Sequence, residues 1–135
     1  MLNFDALQSF LQVRPSLGPA GRQDDLVISP MTFPGTQDAV RVHVRPLDGG
    51  RSLVHDAGEA AARAGGADVL METPVWEAVR AEWIDRGVSM DEENRLFTVA
   101  HSAENLPEAC ARIFEAQLQL TSLSLMLRAL SEEES

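Results

Sequence analysis

Residues 40–45 alternate without a break: Val40, Val42 and Val44 are apolar, while Arg41, His43 and Arg45 are polar. A period of two sends successive side chains to opposite faces, so this segment predicts a half-buried strand and excludes an amphipathic helix. Leu47-Asp48-Gly49-Gly50 follows, and Asp-Gly or Gly-Gly steps accept the positive φ that tight hairpin turns demand. Ser52-Leu53-Val54-His55 then completes a hairpin. A sheet built from such hairpins is antiparallel, and its apolar face needs a second layer to cover it.

The rest of the chain supplies that layer. Leu26-Val27-Ile28 predicts a further strand. Leu2, Leu7, Phe10 and Leu11 fall near helical spacing and predict a short helix over Leu2–Val13, ended by Pro15. Ser16–Asp25 and Pro30–Gly35 then read as loops, with Phe33 plugging the core. Gly58–Arg63 reads as a short helix closed by Gly65-Gly66. Thr73-Pro74 predicts a helix start, with Val75, Trp76, Val79 and Trp83 on its buried face and Gly87 as its stop. Val88–Met90 and Leu96–Val99, joined by Asp91-Glu92-Glu93-Asn94, predict a second hairpin.

Asn105 and Glu108 have capping-box spacing before a helix expected to run to about Leu130. Ile113, Ala116, Leu120, Leu123, Leu127 and Leu130 make one stripe on it. Leu118 and Leu125 lie off that stripe, so the apolar surface is wider than one core face needs and points to an interface. Residues 118–127 also have some alternation, which leaves a strand as the competing reading. Glu132-Glu133-Glu134 reads as a frayed tail, because acids sit badly at a helix C-terminus. The expected fold is α+β: one domain over residues 1–131 with an acidic tail at 132–135. Its antiparallel sheet has about five strands with helices on one side, in the order α-βββ-αα-ββ-α.

Charge narrows the chemistry. Eleven basic residues, all Arg, stand against 21 acidic ones, for a net charge of −10. Lysine and tyrosine are absent, which excludes a Schiff-base lysine, a phosphate-loop lysine and a tyrosine general acid. Direct nucleic-acid binding is disfavoured, since it rests on clustered positive charge. The single cysteine, Cys110, has no internal disulfide partner and is expected to be a small buried hydrophobe. With no signal-like N-terminus and no apolar run of about 18–20 residues, a cytoplasmic protein without membrane contact is expected.

His43 and His55 fall on neighbouring strands, with Asp56 and Glu59 close by in sequence. These four could be drawn together as a metal or acid–base cluster, but no HxH, HExxH or CxxC spacing supports one, so no metal and no cofactor are expected. Asp56 more simply satisfies backbone donors beside a turn at Gly58. His101 reads as a strand-edge residue, and Ser29, Ser52 and Ser102 lack a nucleophile-elbow setting. Trp76 and Trp83 read as core; exposed, they would be a binding hot spot. Asp24-Asp25, Asp91-Glu92-Glu93 and Glu132–Glu134 concentrate the negative charge at loops and the tail.

Several short segments resemble one family. Ile28-Ser29-Pro30 resembles a strand ending in a Thr-Pro step, and Asp38 before Val40–Val44 resembles an Asp that opens the next strand. Val54-His55-Asp56-Ala57-Gly58-Glu59 is similar to a Leu-Ser/Thr-Asp-Asp-Gly turn, with Ala57 in place of an acid. Gly87-Val88, the acidic hairpin, Leu96–Val99, Asn105-Leu106 and the helix carrying Ala116 complete the pattern. Together they resemble the bacterial and phage domain-of-unknown-function family 1828. That resemblance implies an α+β domain carried by phages and mobile elements, with no activity attached. The missing acid at Ala57 argues against a paired-carboxylate metal site. The element order is also similar to class I type III secretion chaperones, which are small acidic dimers.

The function expected from these readings is a non-catalytic, acidic protein-binding module. Its concrete form is a phage or mobile-element inhibitor of a host nucleic-acid-directed defence nuclease. Asp91, Glu92 and Glu93, with Asp56 and Glu59, would meet a basic host protein; Leu118 and Leu125 would supply the apolar contact, to that partner or in a homodimer. One alternative is a dimeric chaperone for an extended effector segment. Another is a small metal-dependent or acid–base enzyme using His43, His55 and Asp56.

Overall fold

The computed structural model describes residues 12–17, 23–64 and 74–134. Six strands form one sheet: β1 (Gln12–Leu17), β2 (Gln23–Thr32), β3 (Ala39–Pro46), β4 (Ser52–His55), β5 (Ser89–Met90) and β6 (Leu96–Ala100). The spatial order is β1-β2-β3-β4-β6-β5, and every neighbouring pair is antiparallel. Among the described residues, three α-helices accompany it: α1 (Glu59–Arg63), α2 (Pro74–Asp85) and α3 (Leu106–Glu134). The α+β class is as expected from the sequence, with one strand more than the expected five.

The alternation in β3 does what its period demands. Val40, Val42 and Val44 are buried, as are Val54 of β4 and Leu96 and Ala100 of β6. Against this face lies α3, which contacts β3, β4 and β6 and buries Ile113, Ala116, Leu120 and Leu123. The β3–β4 turn closes with the Leu47 N–H donating to the Arg51 carbonyl at 2.8 Å, and Gly49 and Gly50 take φ of 73° and 76°. Phe33 is buried as expected, under the Arg63 guanidinium at 4.1 Å from its ring centre.

Helix α2 ends in a Schellman motif: the Gly87 N–H donates to Ile84 and the Val88 N–H to Trp83, with Gly87 at φ 82°. Its Trp76 and Trp83 are buried edge-to-face at 5.2 Å, so they are core residues. Among the described residues, no helix is long and apolar enough to cross a membrane.

Several expectations change. Gln12 and Val13 belong to β1, not to a helix; the rest of the Leu2–Val13 segment lies outside the described residues. Ser16, Leu17 and Gln23–Asp25 are strand, not loop. Pro15 misled, because it ends a helix yet fits an edge strand, where its missing N–H faces no partner. Pro30–Thr32 also continue β2; the pairing slips between Ile28 and Thr32, and a bulge tolerates proline.

Val75 is exposed and leaves the buried face of α2. The strand reading of residues 118–127 fails, since α3 is helical throughout and runs on to Glu134. Leu130 is exposed rather than part of the core stripe. Glu108 pairs with Arg112 one turn on. Thr73 and Gly65-Gly66 lie outside the described residues.

Candidate functional site

The structure separates the candidate residues into three places. The first is the outer face of the sheet, opposite α3. Register pairs His43 with His55, and their rings stack at 5.1 Å with an 11° interplanar angle. The carboxylate that joins them is not Asp56 but Asp24, from the β2 segment expected to be loop. Asp24 is fully buried; the Arg45 Nε donates to its Oδ1 at 2.9 Å, and His55 Nε2 lies 3.2 Å from its Oδ2. Burial alone would raise the Asp24 pKa, but the hydrogen bonds from Arg45 and His55 outweigh it and hold the carboxyl below its ordinary value.

The His55 ring is committed at both nitrogens. The Ala57 N–H donates to its Nδ1 at 3.1 Å, so Nδ1 is unprotonated and the Nε2–H donates to Asp24. Burial lowers the pKa of His55 and His43, against the opposing pull of Asp24. A neutral ring with both nitrogens bonded offers no general base. His43 Nδ1 is buried without a hydrogen-bond partner among the described residues.

Asp56 faces elsewhere. Its carboxylate accepts from the backbone N–H groups of Gly58 at 2.8 Å, Ala60 at 3.1 Å and Leu96 at 2.9 Å. It therefore ties the start of α1 to the start of β6. Burial raises its pKa against those three bonds. The structural reading of Asp56 thus holds, and its carboxylate is not presented to a partner. Glu59 bridges Arg63 at 3.0 Å and Arg41 at 3.5 Å. No group of three or more His, Cys, Asp or Glu side chains suited to a metal occurs among the described residues.

The second place is the β5–β6 hairpin tip. Asp91 accepts from the backbone N–H of Glu93 and Arg95, both at 2.9 Å, and from the Arg95 guanidinium at 2.7 Å. Asp91 builds the turn, whereas Glu92 and Glu93 are exposed. Cys110 is buried, and burial pushes its thiol up to about 12, as expected for an inert core residue.

The third place is the flank of α3 that runs beside the end of β2. Met31 of β2 and Ala111, Phe114, Leu118, Gln119 and Ser122 line an open groove of about 510 Å³, with Glu115 at its rim. Leu118 is half-buried there, and Leu125, 45% exposed, continues its line one heptad on. Met126 and Leu130 are 52% and 50% exposed on the following turns. Arg128 is occupied, donating to the Ala64 carbonyl at 2.8 Å.

Sequence reasoning placed Leu118 and Leu125 off the core stripe and missed Asp24 and Arg45. A signal existed for the second pair: extending β2 backward in steps of two from Ile28 through Leu26 puts Asp24 on the face that carries His43 and Arg45. Fold and clusters together define an α+β antiparallel-sheet domain with a buried His–Asp–Arg cluster on one face and an apolar helical edge on the other. No family model, curated protein or solved structure matches the chain.

Proposed function

We propose that this is a non-catalytic, cytoplasmic protein-binding domain that takes its partner on the flank of α3 beside the end of β2. The observation that carries the reading is the apolar line from the Met31–Phe114–Leu118 groove to the exposed Leu125, one heptad on from Leu118. Scattered single hydrophobics are ordinary on a surface, but a continuous line beside a groove marks an interaction site. The partner is a protein segment with apolar side chains for the groove and Arg or Lys at its flanks. Charge complementarity supports that choice: Glu115 rims the groove, Glu132-Glu133-Glu134 end the same helix, and the chain carries −10 overall. Asp91 and Asp56 are committed to backbone hydrogen bonds and Glu59 to Arg63 and Arg41, so Glu92 and Glu93 are the remaining acidic contacts of the earlier set.

Inhibition of a nucleic-acid-directed host nuclease is the concrete form of this reading. Such an enzyme has a basic groove that an acidic protein could occupy. The resemblance to the phage-borne family 1828 points the same way.

The test is retention of a partner from the native host on the immobilised domain, washed from about 0.05 M to about 1 M salt. A specific partner should be released as salt rises and should be lost with Leu118→Glu. Retention indifferent to both changes contradicts the proposal. A homodimer in light scattering that Leu118→Glu dissociates would assign the same surface to self-association.

A further inference from the structure

The hydrogen bonds around His55 carry a consequence independent of α3. The Ala57 N–H can donate to Nδ1 only while that nitrogen keeps its lone pair. A second proton would set an N–H against an N–H at the same distance. The ring has little room to escape, being 2% exposed and stacked on His43. Ala57 itself holds a left-handed φ of 57°, a conformation that L-residues other than Asn, Asp and Gly seldom adopt. The Nδ1 bond is therefore one of the ties holding the backbone in this turn.

We propose that His55 is a protonation-gated latch: acid turns its Nδ1 from acceptor to donor, expels the Ala57 N–H and opens the turn over residues 56–60 that begins α1. The far end of α1 stays anchored, because the Ala64 carbonyl accepts from Ser124 at 3.2 Å and from Arg128 at 2.8 Å. Opening is thus confined to the start of the helix.

The surrounding charges fit such a gate. From β2, Asp24 favours the imidazolium, but it is already paired with Arg45. From β3 come His43, Arg41 and Arg45; from α1, Glu59, which is taken up by Arg63 and Arg41. Across the other neighbouring strand, His55 faces Phe97, which carries no charge. Burial is the largest influence on both imidazoles and lowers each from the ordinary 6.5.

The sign follows directly. The closed form binds protons less readily than the open form, so closure is fully stable above about 6.5 and weakens as pH falls below it. Linked to one proton, the open population should grow about tenfold per pH unit between the two pKa values. Asp56, whose pKa burial raises, has the opposite sign.

Amide hydrogen exchange by NMR, corrected for intrinsic rates, tests the latch between about pH 7.5 and about pH 5.5. Protection at Ala57, Gly58 and Ala60 should fall several-fold, up to about tenfold, while Val42, Val54 and Leu120 hold theirs. His55→Asn keeps an acceptor on the Nδ1 side but cannot take a proton, so its profile should be flat. Unchanged protection at Ala57 in the native chain overturns the proposal, and so does an equal fall in His55→Asn. Should that variant fail to fold, the imidazole nitrogen shifts of the native chain decide. His55 Nδ1 becoming protonated while Ala57 stays protected refutes the latch; gain of that proton together with loss of Ala57 protection supports it.

Discussion

The two sides of α3 carry similar residues to opposite ends. Ile113 and Leu120 face the sheet and are fully buried; Leu125 and Leu130 are about half exposed on the same helix. At about 1.5 Å per residue, its 29 residues span about 43 Å, enough to cross the sheet and continue past it. The comparison teaches that apolarity alone does not assign a role: what lies beneath the residue does. Leucines over β3, β4 and β6 are folding energy, whereas leucines beyond or beside them are surface.

The largest effect should come from the inward side. Ile113→Ala should lose about 2–5 kcal/mol in denaturant unfolding, because a fully buried β-branched side chain leaves a cavity. Trp83→Phe should cost about 1–3 kcal/mol, because it removes the hydrogen bond to Gln119 and also part of a buried indole packed on Trp76.

Gln117→Met should change stability by about 1 kcal/mol or less. It gives up the bond from Nε2 to the Arg41 carbonyl at 2.9 Å, but also removes the buried Oε1, which has no partner among the described residues. Smallest of all, Leu125→Asp should leave the unfolding midpoint within about 0.5 kcal/mol of the parent, since an exposed position lacks a cavity to create. A large loss from Leu125→Asp would erase the distinction between the two sides.

How far the sequence foretold this depends on which physical signal each residue carries. The β3–β4 hairpin was legible because alternation and a Gly-Gly turn agree, and Val40, Val42, Val44 and Val54 are all buried. The stop of α2 at Gly87 was legible from capping chemistry. β1 was not, because Pro15 reads as a breaker until the strand is known to lie at the edge of the sheet.

Asp24 was hidden for a related reason. A charged pair at positions 24 and 25 looks solvated, and only the register with β3 brings Arg45 to neutralise it. Leu118 and Leu125 were correctly set apart from the core stripe. Leu130 was not, since helical period carries no information about where the sheet beneath ends. The His43–His55 approach was foreseen from the hairpin, while the carboxylate beside it was assigned to Asp56 instead of Asp24.

The central claim is that partners meet the flank of α3 beside the end of β2. A photoreactive side chain placed at position 125, and separately at exposed Arg80 on α2, tests it in native-host extract. The account predicts one salt-sensitive crosslinked protein from position 125 and none from position 80. Equal crosslinking from both positions, or crosslinking from position 80 alone, would contradict it.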